Sequence, residues 1–239
     1  MFCPRTSIPL RVLAQLCVLG GLLLACSCAS TSHGGGYRGR SSREGAYVTG
    51  HVGAAWLSGA FDFQDELYGS DQILLPHTDV GVTTDVALGL RSEEGFGAEI
   101  AFIRESYAGH IGRQEADVEL DSISLRFAQH YDALNEVHLY AIAGVLYSWG
   151  TLENSSRTWD AVDAGARSFE DAELSQGWGI EAGAGLAIPL SRELELDIRC
   201  MWTERTFYSA SGASGYSDHI SGGLDAPALK LMIGLTLGF

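Results

Sequence analysis

The final eleven residues, LKLMIGLTLGF, alternate strictly: Leu229, Leu231, Ile233, Leu235, Leu237 and Phe239 hold one phase, and Lys230, Met232, Gly234, Thr236 and Gly238 the other. A period of two sends successive side chains to opposite faces of a strand, so the segment predicts a β-strand with one apolar face. The same rhythm recurs from Ala46 onward, without a helical period, a solenoid repeat or a long apolar run. It predicts strands over Ala46 to Leu57, Val80 to Arg91, Phe96 to Tyr107, Asp117 to His130, Val137 to Trp149, Gly177 to Ile188 and Leu194 to Tyr208, eight with the terminal one.

Two strands fit imperfectly. Val118 and Leu120 are out of phase with Ile123, which calls for a bulge near Asp121-Ser122 or an end to the apolar outer face there. The fifth strand carries Tyr140, Ile142 and Leu146 on its second face and is apolar on both.

The connections alternate long and short. Ser58 to Asp79, Ala108 to Ala116, Gly150 to Gln176 and Ser209 to Ala226 are long, whereas Ser92 to Gly95, Tyr131 to Glu136 and Pro189 to Glu193 are short. A meander with long loops at one end and tight turns at the other predicts a membrane-spanning barrel.

The second face carries glycines mixed with charges of both signs: Asp85, Arg91, Glu99, Arg126, Glu181, Asp197, Arg199 and Lys230 among them. An eight-stranded barrel is barely wide enough for its own side chains, so this face suits a polar lumen, and the apolar face then meets lipid. The expected fold is all-β, an eight-stranded antiparallel up-and-down transmembrane β-barrel. A soluble lipocalin-like barrel is the alternative, and it requires the apolar set of the last strand to point inward. Trp56, Trp149 and Trp178 fall near the long loops, and Phe96, Phe127 and Phe239 near the short turns, as two interfacial girdles would.

Composition agrees: charged residues are 19% of the chain, below the ~25% of soluble domains. Residues 1–25 place Arg5 and Arg11 before an apolar run from Val12 to Ala25, shorter than the ~20 residues of a bilayer span, and read as a secretory signal. Residues 26–45, rich in Gly, Ser and Arg, read as a tether, and 46–239 as the barrel. Removing the signal takes two of the fifteen basic residues and no acid, so the net charge moves from −15 to −17. That charge excludes nucleic acid as a partner. Of the five cysteines only Cys200 lies beyond the cleavage region, so no disulfide framework is expected.

Leu23-Leu24-Ala25-Cys26 resembles a bacterial lipobox, which implies lipidation of Cys26; cleavage near Ala29 is the competing reading. The strand ending at Phe239 resembles the C-terminal recognition signal of outer-membrane proteins. His138 to Gly150 and Gly177 to Trp202 resemble the fifth to seventh strands of the OmpA-like eight-stranded barrel family. The resemblance implies outer-membrane residence with both barrel termini periplasmic, delivery by the barrel-assembly machinery, and contact with outer-membrane lipid and lipopolysaccharide. It brings no catalytic residues, cofactor or metal.

The eight lumen charges are expected to pair with one another in a structural network, since buried charges of opposite sign must pair. His77, His110 and His219 in the loops, near Ser106 and Ser217 or acids such as Asp79 and Asp218, are candidates for a rim-located lipid hydrolase, but no spacing supports one. The same histidines with loop acids are candidate metal ligands, but three ligands on three loops are more often a coincidence than a site, and no metal is expected. A narrow porin-like channel is the third reading. The first and third long loops are acidic, through Asp62, Asp65, Glu66, Asp71 and Asp79 and through Glu153, Asp160, Asp163, Glu170, Asp171 and Glu173. They point to a surface-interaction role, by divalent-cation bridging to lipopolysaccharide or by contact with a partner, with Phe61, Phe63, Tyr68 and Trp159 for grip.

Overall fold

The computed structural model describes residues 44–62, 67–68, 73–111, 114–134, 137–157, 169–211 and 217–239. The signal, nearly all of the tether, Cys26 and the loop residues Phe63, Asp65, Glu66, Asp71, Trp159, Asp160 and Asp163 lie outside them. Eight long strands form the body: β1 (Gly45–Leu57), β2 (Gly81–Arg91), β3 (Phe96–Tyr107), β4 (Val118–Leu134), β5 (Val137–Arg157), β6 (Phe169–Pro189), β7 (Leu194–Ser211) and β8 (Ala228–Gly238). Each pairs antiparallel with the next, and β8 pairs with β1 from Leu57↔Ala228 to Tyr47↔Gly238. The sheet closes on itself, so its backbone groups are satisfied without an open edge.

Turn chemistry fixes the short connections. Gly95, at φ 80°, donates its N–H to the Ser92 carbonyl at 3.0 Å, a conformation that a side chain would strain. Ser191 Oγ accepts the Leu194 N–H at 3.2 Å between β6 and β7. Both barrel termini sit at this turn end, where the Phe239 N–H bonds the Ala46 carbonyl at 2.9 Å.

The apolar set of β8 points outward: Leu231, Ile233, Leu235, Leu237 and Phe239 are exposed, whereas Lys230, Met232 and Thr236 are buried. The same holds around the barrel, with Val52, Val86, Leu88, Ile100, Leu125, Val145 and Ile180 exposed. An apolar exterior around a charged interior is the inverse of a soluble barrel.

Much of the expected loop Gly150 to Gln176 is strand instead. β5 continues to Arg157 and β6 starts at Phe169, and a hairpin strand, Ser217–Asp225, pairs with the end of β7 inside the expected loop Ser209 to Ala226. The strand β4 likewise runs on to Leu134. Near the loops the alternation survives with its sign reversed: Leu152, Ala172 and Leu174 are buried, and Glu153, Asp171 and Glu173 are exposed. On β6 the reversal is made by a bulge at Gln176, at φ 55°, where the register with β5 shifts between Ser148 and Gly150. One extra residue sends everything beyond it to the opposite face.

Strand β4 reaches the same state without a bulge. Its pairing with β3 is unbroken from Phe96↔Gln129 to Tyr107↔Val118. Val118 and Leu120 simply share the inner face with Ser122, and the outer face turns acidic at Asp121, Glu119 and Asp117. The apolar outer face ends there, as the second of the two expectations had it. Leu57, Phe61, Ile73, Leu120, Leu174 and Phe207 then belong to an apolar core inside the loop end of the barrel.

Candidate functional site

The inner faces of β1 to β8 bring all eight expected lumen charges into the interior, each at most 7% exposed. At the centre, Arg199 on β7 grips Glu99 on β3 with Nη1 and Nη2, each 3.0 Å from a carboxylate oxygen. Strands β3 and β7 stand opposite each other in a ring of eight, so this pair crosses the lumen. Asp197 Oδ2 lies 3.1 Å from Arg199 Nη2 and 3.2 Å from His51 Nε2. The hydroxyl of Tyr47 donates to Glu99 at 2.9 Å; that of Tyr140 accepts from Arg199 Nε at 2.7 Å and donates to Asp197.

Beside this group, Arg126 on β4 reaches Glu181 on β6 at 2.5 Å and Asp85 on β2 at 2.6 Å. Neither Asp85 oxygen makes an aligned hydrogen bond among the described residues, so that contact is a close charge pair only. Ser124 donates to Glu181. Toward the turns, Arg91 Nη1 stands 3.3 Å from Glu195. Toward the loops, Lys230 Nζ donates to Glu105 at 2.9 Å, Tyr107 donates to the same carboxylate at 2.8 Å, and Arg205 pairs with it from β7.

Among the described residues the interior therefore holds six carboxylates (Asp85, Glu99, Glu105, Glu181, Glu195, Asp197), five fixed cations (Arg91, Arg126, Arg199, Arg205, Lys230) and two histidines, His51 and His130. Near-equality is what desolvation demands, because an unpaired ion in this setting costs several kcal/mol. Sequence reasoning missed Glu105 and Arg205, which stand on the same strands as Glu99 and Arg199. Three further steps of the same period, from Glu99 and from Arg199, reach them. His51 and Glu195 complete the inner-face set, the first beside Asp197 and the second beside Arg91.

The lumen glycines have specific neighbours. A Cβ added at Gly185 would come within 2.3 Å of Tyr140 Cζ, and one at Gly89 within 2.2 Å of Tyr47 Cζ. Each tyrosine thus lies across a glycine of the next strand, which lets its hydroxyl reach the central ion pair. Gly185→Ala is expected to destabilise the barrel by about 1–3 kcal/mol through overpacking. Gly50→Ala, where nothing lies within 4 Å, leaves stability unchanged. Urea unfolding in detergent micelles compares the two.

On the exterior, Phe96 and Phe127 stack with ring centroids 6.1 Å apart at the turn end, where Phe239 is also exposed. Toward the loops, Trp56 is opposite Leu229, and Leu229 opposite Trp202. Trp149 and Trp178 flank Tyr147 at 6.1 and 4.9 Å. Two pairs beyond Phe102↔Ile123, Arg104 makes a two-pronged contact with Asp121 at 2.8 and 3.0 Å on the outer surface. Two of the three loop histidines meet: the His77 and His110 rings are 5.5 Å apart. The side chain of His219 lies outside the described residues.

No protein-family model matches the chain, and no curated protein sequence does. Among solved structures, the crystal structure of Neisserial surface protein A (NspA) is 13% identical, with a TM-score of 0.52 over 81% of this chain and 97% of that one. The fold is that of an eight-stranded outer-membrane β-barrel. The outer membrane protein OprG from Pseudomonas aeruginosa is also similar, at 14% identity, 83% and 98% coverage and a TM-score of 0.48. So is Ail, the attachment invasion locus protein of Yersinia pestis, at 12%, 82% and 100%, and 0.41. The likeness is one of fold, and this barrel's lumen chemistry is read from its own residues.

Proposed function

We propose that the chain is an outer-membrane barrel that serves as a non-catalytic interaction platform, its loop end at the cell surface and both barrel termini in the periplasm. The observation that carries this reading is the distribution of charge. On the loop side of the barrel the sequence places eighteen carboxylates, from Asp62 to Asp225, against four arginines: Arg104, Arg113, Arg157 and Arg167. The lumen ions are near balance by comparison.

Such a rim repels anionic lipopolysaccharide unless dications stand between them, and carboxylate oxygens are the ligands that hard dications take. The apolar core beneath the rim supports the reading, since it makes the loop end a stiff base for binding. The cross-lumen pairs Glu99–Arg199 and Glu105–Arg205 support a plugged lumen over a channel. The strand ending at Phe239 is the part we assign to recognition by the barrel-assembly machinery, and Cys26 to lipid attachment.

The test is retention of lipopolysaccharide by the full chain, extracted and held in detergent. Retention is expected with millimolar calcium or magnesium and loss with a chelator. Retention that ignores the chelator, or none in either condition, overturns the bridging role.

A further inference from the structure

Three short strands, His77–Thr78, Gly109–Ile111 and Gln114–Glu115, form a separate small sheet beyond the ends of β2, β3 and β4. Its register sets His77 opposite His110, and His110 opposite Glu115. Directly opposed residues of antiparallel strands share a face, so two imidazoles and a carboxylate stand in one row across the sheet. Alternation adds Asp79 and Asp117 to that face, each two residues along from a member of the row. Pairing persists that far, with the Asp79 N–H on the Ala108 carbonyl at 2.8 Å and the Ala116 N–H on the Gly109 carbonyl at 3.0 Å. The three acids are exposed and the two histidines half-buried.

The imidazoles meet edge to face, with centroids 5.5 Å apart and planes at 81°. Two imidazoles bound to one tetrahedral ion through nitrogens ~2.0–2.1 Å from the metal have centroids roughly 5 Å apart. Among the described residues, His77 Nδ1 is buried and has no hydrogen-bond partner. We propose that His77 and His110 form a binding site for a borderline transition-metal dication of the zinc, nickel or copper class. Imidazole nitrogen selects such ions, whereas the carboxylates of the rim select calcium or magnesium. Among the described residues no three ligating side chains converge on one point. The two rings therefore clasp the ion while water fills the open positions, and Asp79, Glu115 and Asp117 hold the local potential negative. The site does not depend on the lipopolysaccharide reading.

The experiment is a zinc and nickel titration of the full chain in detergent micelles, followed calorimetrically with calcium in excess. One dication per chain at micromolar affinity is expected, and His77→Asn and His110→Asn each weaken it at least tenfold. His219→Asn leaves it unchanged. Unheated gel mobility confirms that each variant is folded. Absence of saturable binding, binding displaced by calcium, or binding that survives in folded His77→Asn and His110→Asn overturns the proposal.

Discussion

Arg126→Met is expected to destabilise the folded barrel by about 3–5 kcal/mol, the cost of removing one partner from a buried ionic group. Arg126 is fully buried and touches two carboxylates from different strands, Glu181 at 2.5 Å and Asp85 at 2.6 Å, with Glu99 at 3.8 Å. Methionine fills similar space and leaves three acids facing one another without a shared cation. The same substitution with Asp85→Asn and Glu181→Gln removes the stranded charges together with the arginine. That triple variant is expected to recover most of the loss, because replacing a whole buried ionic group by neutral residues is often close to neutral. Urea unfolding in detergent micelles, read by the mobility of unheated samples on gels, measures both. Equal loss in the single and triple variants would mean that Arg126 acts through its volume and not its charge.

The outward face of this barrel was legible because the period of two is strict over the membrane stretch. Phe96–Tyr107 has the same bounds in the sequence reading and in the structure, and the apolar set of β8 points where the glycine-and-charge face of its companions said it must. Nearer the loops the reading of the fifth and sixth strands stopped early. It followed an apolar-out rule, and at Leu152 and Leu174 the strands continue with apolar side chains inward and acids outward. Once a strand leaves lipid for water the preferred face of a hydrophobic residue reverses, so the end of the apolar face is not the end of the strand.

The lumen was legible by residue type and only partly by partner. Period two assigns Glu99 and Arg199 to the interior but says nothing of which wall faces which. Their meeting follows from the closure of eight strands, which sets β3 opposite β7. The tyrosine-over-glycine packing of Tyr140 on Gly185 was hidden for a related reason, because it depends on a cross-strand register that is absent from either strand alone. The His77–His110 pair likewise arises where two loops separated in sequence become adjacent strands.

Ile233→Arg carries the second large expected effect, a loss of about 2–4 kcal/mol when the barrel is folded in lipid vesicles. Ile233 lies midway along β8 and points outward between Val52 and Ile198, its partners on β1 and β7. It is 50% exposed. In a water-soluble barrel, arginine at a half-exposed outward position would change stability by less than about 0.5 kcal/mol. In a bilayer the guanidinium must stay at the hydrocarbon midplane or drag water and headgroups toward itself, which is where the cost arises. Glu119→Arg supplies the contrast, since Glu119 also points outward but stands beyond the Arg104–Asp121 pair that ends the apolar face of β3 and β4. Its stability is expected to stay within about 0.5 kcal/mol of the parent. Equilibrium unfolding from vesicles gives both numbers, and equal tolerance of the two arginines would leave the apolar exterior without a membrane to explain it.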